Sequence, residues 1–510
     1  SLIKECLWDL KWDEKQVHPQ AVHSFISAAK NELKNPVEYA EMASGVFMEK
    51  VAQVYPRYQT KLKQNNAMDF DDLLFNAVFL LKQYPEVLES YRNRFDYVMV
   101  DEYQDINTTQ YQLVSSITHP QNNLYVVGDP DQSIYGWRGA DIRNILRFEQ
   151  DFPGARIFKL QQNYRSTKSI IETAQAVIRN NSQRKEKELF SLREMGESVT
   201  YYQAEDDKDE AEFVMKTLYQ RLGEPGRKYR HVAILYRTNA QSRVLEDACR
   251  RNHIPYIIVG GLKFYDRKEV KDLLAYLHVL ANPQDSVSLR RMINVPIRGI
   301  GSGTVEKLEE SAKRQDLSML DAARQAAVSG EFAKKVTQAL ESFVRMMDEL
   351  AAQKPLVAPS DFVRTVLERS GYLTDLAHDD TPESKMRAEN LKELVNSVAD
   401  YEKTAEEPSL EGYLDQVSLV ADVDKLNDEK NSVTLMTMHN AKGLEFPIVF
   451  LTGMEEGLFP HNNSIESDSE VQEERRLCYV GMTRAMDLLY LTGAACRYVY
   501  GTPQWRAPSR

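Results

Sequence analysis

The 510-residue sequence is poor in cysteine and has no excess of positive charge. Its four cysteines, Cys6, Cys249, Cys478 and Cys496, are scattered, with no CxxC pair and no Cys/His cluster. That excludes a disulfide framework and argues against a structural zinc site; a reducing cytoplasm is the simple reading. No apolar run approaches the roughly 18 residues that span a bilayer, so no membrane association is expected. No secretory leader pattern is visible either. Lys and Arg number 64 against 76 Asp and Glu, a net charge of −12. A globally basic nucleic-acid binder is thereby excluded. A basic channel on an acidic body is not, because a field is local and net charge is a sum. There is no repeat of solenoid period and no long low-complexity tract. Length alone suggests about three to four domains, each able to bury its own core.

What is present is a change of texture along the chain. Residues 1–95 carry helical periodicity. Short apolar runs follow at 97–100, 124–127 and 156–160, two of them ending in acidic or Gly-Asp turns, the pattern of buried parallel strands in a βα sheet. A helix is expected over 168–179, with Ser166 or Thr167 as its cap. Strand-like runs recur at 199–202, 232–236 and 256–259. From 262 to 420 the pattern is helical, for example at 268–280 and 385–401, and strands return at 433–437, 448–451 and 488–491. A helical domain inserted into an α/β domain is the expectation. The acidic stretches 205–212 and 466–474 read as solvated loops or helix faces.

Five segments carry chemistry. Residues 98–102 read Val-Met-Val-Asp-Glu. A strand ending in two carboxylates is a Walker B arrangement, and in an open α/β sheet that strand end faces the ligand crevice. There Asp101 can hold Mg²⁺, usually through waters, and Glu102 can orient and deprotonate a water attacking a γ-phosphate. Taken alone, the pair also reads as a polar turn. Residues 127–140 read Val-Gly-Asp-Pro-Asp-Gln-Ser-Ile-Tyr-Gly-Trp-Arg-Gly-Ala. Gln132 can reach a phosphate oxygen or the attacking water. Tyr135 and Trp137 beside Arg138 form a stacking platform for bases, or else are core aromatics.

Gln162-Asn163-Tyr164-Arg165-Ser166 is a polar strand-to-helix junction. It sets Arg165 to meet phosphate at a helix start and Tyr164 to stack on a base, although such a pair is often structural. Residues 437–446 place His439, Lys442 and Glu445 in one loop, where a lone His otherwise reads as solvated. Residues 473–485 read as a helix ending in Thr483-Arg484 before a strand, with Arg484 a candidate arginine-finger-like contact. A further segment, 295–304, is a Gly-rich turn opening a helix. Its free backbone N–H groups suit an anion, with a simple turn capped by Ser302 or Thr304 as the alternative.

In this order and wording, the five segments resemble motifs II to VI of the UvrD/Rep/PcrA-type DNA helicases of superfamily one. The resemblance covers essentially the whole chain. Residues 236–243 and 259–265 point to the Gram-positive PcrA branch. It implies an α/β fold of two RecA-like P-loop NTPase motor domains, the first incomplete at its N-terminus, with helical insertions. The implied segments are 1–66, a helical insertion of the first motor; 67–162, the first motor; 163–261 and 421–510, the second motor; and 262–420, the inserted helical domain. The nucleotide would lie between the motors and single-stranded DNA across their tops.

The implied activity is an ATP-dependent 3′-to-5′ DNA helicase and translocase, acting in DNA repair and plasmid replication with ATP and Mg²⁺. Carried over by position, Asp101 binds Mg²⁺, Glu102 is the catalytic base and Gln132 senses the γ-phosphate. Tyr164 stacks on adenine, Glu445 contacts the ribose side, and Arg165 and Arg484 contact the γ-phosphate. Phe70, Tyr135, Trp137, Arg138, Arg237, Asn239 and His439 line the DNA path. Gly299, Gly301 and Thr304 grip duplex phosphates. The implied partners are single-stranded DNA and single-strand/duplex junctions, with RNA polymerase, repair factors or a plasmid initiator protein beside them.

One departure is large. No GxxxxGK[ST] loop occurs in these 510 residues, so the Lys that meets the β/γ-phosphates and the Ser/Thr on Mg²⁺ are missing. The expectation is a fragment of a longer helicase, cut at both ends. The competing reading is a DNA- or partner-binding module without ATPase activity. A helicase–nuclease subunit of the related AddA/RecB branch would need a C-terminal nuclease domain, which nothing here supplies.

Overall fold

The computed structural model describes residues 2–12, 17–120, 122–379, 381–423 and 431–510. The chain divides into two compact units: Ser1–Thr200 with Ala441–Val449 and Phe459–Leu489, and Tyr201–Asn440 with Phe450–Leu458 and Tyr490–Arg510. The strands among the described residues are β1 (Val98–Val100), β2 (Leu124–Val126), β3 (Gln162–Asn163), β4 (Phe190–Ser191), β5 (Thr200–Asp206), β6 (Val232–Tyr236), β7 (Tyr256–Val259), β8 (Val433–Thr437), β9 (Phe446–Leu451), β10 (Ala485–Val499) and β11 (Thr502–Trp505).

The first unit opens with helices packed on one apolar core. In the helix Val46–Gln64, the residues Val51, Val54, Tyr55, Tyr58 and Leu62 recur at helical spacing and are buried against Cys6, Leu7, Val22 and Ile26. The helix Phe70–Gln83 starts at a capping box in which Asp69 and Asp72 each accept the other's backbone N–H. The same two carboxylates surround the fully buried Lys30 ammonium at 2.6 and 2.8 Å. Tyr58 and Gln59 donate to them as well.

β1 and β2 pair in parallel, Met99 opposite Tyr125. Both of those side chains are exposed, so this pair is buried less than its apolar sequence predicts. The run 156–160, expected as a strand, forms no ladder. No strand lies alongside it among the described residues, and Phe158 and Leu160 face solvent. β3 and β4 form a short parallel pair. The helix Lys168–Ile178 follows, burying Ile170, Ile171, Ala174 and Ile178. Thr167 takes the N-cap position but makes no capping bond, and the Ser166 hydroxyl donates to the Ala485 carbonyl. The expected cap is therefore absent, because Ser166 ties this helix start to β10.

The second unit is built on a seven-stranded sheet of order β11-β10-β9-β6-β8-β7, with β5 also against β10. β8 lies in parallel between β6 and β7. The β6 side chains are all buried, as a strand covered on both faces requires. Residues 262–423 supply helices around one core that includes Leu273, Leu277, Met292, Phe343, Val363, Leu391 and Leu394. The helical pattern expected over 262–420 is present in these elements.

The acidic stretches depart from expectation. In 205–212, Glu210 is buried. It accepts from Gly453 N and Thr492 Oγ1 and pairs with Arg497. In 466–474, Glu474 is buried and accepts from His461 N. An acidic run reads as solvated until a distant cation or backbone N–H is folded onto it.

Candidate functional site

In the first unit the residues singled out by sequence are drawn into one polar network. Asp101 and Glu102 follow β1 directly. Glu102 has φ +51°, in the left-handed region that non-glycine residues rarely enter, which swings its side chain out of the strand direction. Asp101 Oδ1 accepts from the Glu102 N–H at 2.8 Å. Glu102 Oε2 accepts from Gln104 Nε2 at 2.5 Å and lies 3.2 Å from Lys442 Nζ.

Lys442 is a hub. Its ammonium bonds the Asp105 carboxylate, donates to the Gln132 carbonyl at 2.9 Å and lies 5.3 Å from the Tyr135 ring centre. Burial pushes the Asp105 carboxyl up despite the opposing pull of Lys442.

The Gly-Asp-Pro-Asp-Gln turn meets this network from β2. Gly128 lies so close to Gln104 that a Cβ there would sit 2.6 Å from its Oε1. Gln104 Oε1 accepts from Asp129 N at 2.8 Å. Gln132 Nε2 donates to Asp129 Oδ2 at 2.8 Å, and Gln132 Oε1 faces Arg484 Nη2 at 3.5 Å. Arg484 is buried. Its guanidinium also donates to the Val480 and Leu444 carbonyls and to Thr483 Oγ1. Burial, with the neighbouring Arg165 charge, lowers its pKa to about 10, so it remains a cation at neutral pH. Arg165 donates to Glu445 Oε2 at 2.6 Å and to the Thr483 carbonyl at 3.2 Å. Tyr164, beside it, is 79% exposed.

Glu102, Gln132, Arg165, Arg484 and Glu445 thus converge, with Tyr164 presented at the rim. Lys442 belongs to a segment the sequence singled out but carries no assigned role there. Its signal was a lysine within a motif loop, and its partners Glu102 and Asp105 lie more than 330 residues away.

Of the aromatic DNA-path candidates of this unit, Phe70 and Trp137 are exposed and Tyr135 is half-buried. Phe70 is 91% exposed at the start of its helix, and Trp137 is also solvent-facing, which removes the core reading for it. The Arg138 guanidinium lies 4.6 Å from the Trp137 ring centre and 5.3 Å from that of Tyr135. Gly136 N donates to Glu473 Oε1 at 3.1 Å, and a Cβ on Gly136 would collide with that carboxylate.

The remaining candidates lie in the second unit. The backbone N–H groups of Arg237 and Thr238 both donate to Gln241 Oε1, fixing the turn after β6. Asn239 contacts Met386 Sδ at 3.1 Å, and His439, half-buried, follows β8. Gly299 has φ +84°, and Gly301 is the N-cap of the helix Ser302–Gln315. Neither Ser302 nor Thr304 caps that helix; Thr304 N donates to the Gly301 carbonyl. A Cβ added at Gly299, Gly301 or Gly303 would meet open space, so the turn is accessible.

Among the described residues no group of three His, Cys, Asp or Glu side chains is arranged to hold a metal. Asp101 fits the other kind of site. It is a solvent-facing carboxylate, and Mg²⁺ bound with a nucleotide keeps several waters and takes only one or two carboxylates beside the phosphates. No helix among the described residues is long and apolar enough to cross a membrane.

Comparison with known proteins gives this network its class. The UvrD/REP helicase N-terminal domain model matches residues 1–153, and the UvrD-like helicase C-terminal domain model matches residues 158–495. The chain belongs to the UvrD-like helicase family, whose domains are RecA-like P-loop motors. Among its relatives are proteins from Staphylococcus aureus and Staphylococcus epidermidis, each named ATP-dependent DNA helicase PcrA. Each is 49% identical over 514 aligned residues, which cover 100% of this chain and 70% of the relative.

Proposed function

We propose that this chain is a PcrA-type, ATP-dependent DNA helicase that moves 3′ to 5′ on single-stranded DNA and opens duplex ahead of it. The observation that carries the reading is the hydrogen-bonded path from Glu102 through Gln104, Asp129 and Gln132 to Arg484. It connects a carboxylate able to act as a base with an amide and a cation able to meet a γ-phosphate. In this reading 67–162 is the first motor and 1–66 its helical insertion. Residues 163–261 and 421–510 form the second motor, and 262–420 its inserted domain.

Glu102 accepts a proton from the attacking water as that oxygen bonds to the γ-phosphorus and the bond to the β-phosphate oxygen breaks, leaving ADP. Lys442 and Gln104 hold the Glu102 carboxylate in place. Gln132, Arg165 and Arg484 face the charge that develops on the γ-phosphate oxygens. Asp101 is the residue to hold Mg²⁺, which when bound neutralises phosphate charge. Tyr164 stacks on adenine and Glu445 lies toward the ribose. Phe70, Tyr135, Trp137 and Arg138, with Arg237, Asn239 and His439, contact the single strand. Gly299, Gly301 and Thr304 contact duplex phosphates through backbone N–H groups. The cell compartment is the cytoplasm. The protein partners are those of repair, transcription and plasmid replication, namely repair factors, RNA polymerase and a plasmid initiator.

A second reading, a DNA-binding module without ATPase activity, is favoured by one observation, the lack of GxxxxGK[ST] in these 510 residues. Single-stranded-DNA-stimulated ATP hydrolysis separates the two. It is measured on the 510 residues and on the gene product at native length, each with Glu102→Gln. Activity in the native-length product that Glu102→Gln removes supports the helicase. An inactive native-length product that still binds DNA overturns it.

A further inference from the structure

Beyond the helix Lys168–Ile178 the chain passes through a polar stretch, 180–188, that belongs to none of the motifs. Two of its cations reach back to the Gly-Asp-Pro-Asp-Gln turn of the first unit. Arg184 Nη2 lies 2.9 Å from Asp131 Oδ2, and Lys187 Nζ lies 3.2 Å from the same oxygen. Lys187 also forms an ion pair with Asp129 Oδ1. These are not loose surface pairs, since the Asp131 side chain is only 1% exposed. Removing a cation there leaves a buried carboxylate facing a second one across the turn, an arrangement that low dielectric penalises.

Asp129 divides its two oxygens. Oδ1 takes Lys187 and the Asp131 N–H, the latter at 3.0 Å. Oδ2 is left to accept from Gln132 Nε2 at 2.8 Å. A primary amide is planar, so committing Nε2 to Asp129 aims Oε1 the other way, toward Arg484. The Asp129 backbone N–H is held by Gln104, which also donates to Glu102. Lys187 therefore stands behind Asp129, which meets Gln132 through its carboxylate and Gln104 through its backbone N–H.

We propose that Lys187, seconded by Arg184, is a positioning residue for Gln132: by fixing Asp129 it decides which end of the Gln132 amide meets the γ-phosphate. The proposal rests on the reading of Gln132 as the γ-phosphate sensor. Lys187 itself need not touch the nucleotide. Because Lys187 and Asp129 come from the segments assigned to different motors, the amide is set only while those segments are together.

The test uses the gene product at native length with Lys187→Met, which keeps the aliphatic stem, Lys187→Arg, Gln132→Ala, and the double variant Lys187→Met/Gln132→Ala. Lys187→Met is expected to lower kcat for DNA-stimulated ATP hydrolysis about tenfold while KM for ATP moves less than about twofold. It is also expected to lose most of the preference for a non-hydrolysable ATP analogue over ADP in equilibrium binding. Lys187→Arg should retain both properties. The double variant should be no slower than Gln132→Ala, because the two residues act in series. Unchanged kcat in Lys187→Met, or losses that multiply in the double variant, overturns the proposal. If Gln132→Ala is itself silent, the sensor reading fails and takes the proposal with it. A damaged Gln132→Ala beside a silent Lys187→Met sinks the proposal alone. Should Lys187→Met fail to fold, Arg184→Gln carries the same comparison, with a smaller fall in kcat expected and an unchanged kcat counting against it.

Discussion

Arg497 in the second unit and Arg165 in the first each hold a glutamate within 3 Å, yet the two pairs live in different solvents. Arg497 is 12% exposed and its partner Glu455 is fully buried, with Glu210 closing the other side. Arg165 is 29% exposed and Glu445 51%. The sealed pair also accepts the Ala494 N–H and fastens β10 to the turn after β9. The open pair stands beside the solvent-facing Tyr164. An ion pair out of water is a rivet, because either partner alone is costly. One in water is a contact that a ligand can replace at little cost.

The comparison breaks most readily at the rivet. Arg497→Ala is expected to cost about 3–5 kcal/mol in urea unfolding, since Glu455 and Glu210 would stay buried without their cation. A loss below about 1 kcal/mol would put this pair in the same class as the open one. Next in size is the stacking platform. Trp137→Ala should weaken single-stranded-DNA binding by about 1–3 kcal/mol in a fluorescence titration, more than removal of one exposed lysine such as Lys335. Equal losses would mean that charge and not stacking carries the contact.

A smaller effect is one of sign against pH. Burial works to raise the Asp69 carboxyl, but Lys30, the Asp72 N–H and Tyr58 outweigh it and hold it below the usual range. Its stabilisation is present above the ordinary carboxylate pKa and lost as pH falls through its depressed one, so Asp69→Asn should cost most near neutrality. Burial raises the Asp207 carboxyl more than Arg497 and Arg243 lower it. Its ionisation opposes folding as pH rises through the raised value, so the cost of Asp207→Asn should shrink with rising pH. Unfolding curves of both variants at about pH 4 and about pH 7 check the opposed slopes. Smallest of all, Glu445→Gln should change stability by less than about 1 kcal/mol. Any larger loss would show the open pair to be structural.

The sequence revealed most where chemistry is local. The runs at 232–236, 256–259 and 433–437 are strands because a continuous apolar segment has few other ways to lose water. The run at 156–160 carries three apolar residues but also Arg156 and Lys159 and forms no ladder, because a strand needs a neighbour that its own residues cannot specify. β10 spans Ala485–Val499, far beyond the apolar 488–491, since Thr492 and Arg497 are buried polar residues whose partners come from Glu210 and Glu455. The residues of the candidate site stood out because Asp-Glu, Gly-Asp-x-Asp-Gln and Thr-Arg are compact signatures. Lys442 stood out only as a lysine in a motif loop without a role, and Lys187 not at all, because a lysine acquires a role only from its acceptors. Those acceptors lie hundreds of residues away for Lys442 and 58 residues away for Lys187.

The helix Asp468–Met482 touches the Trp137 loop at one end of its reach, through Glu473, and delivers Arg484 to Gln132 at the other. From Glu473 to the helix end at Met482 the 1.5 Å rise per residue makes a strut of about 14 Å. Under the proposed function, a base stacked on Trp137 would press on a rod rather than a string. In that reading its displacement would be carried toward the Arg484 guanidinium. Two glycines in mid-helix would turn the rod into a spring, and the stroke would be absorbed before it arrived.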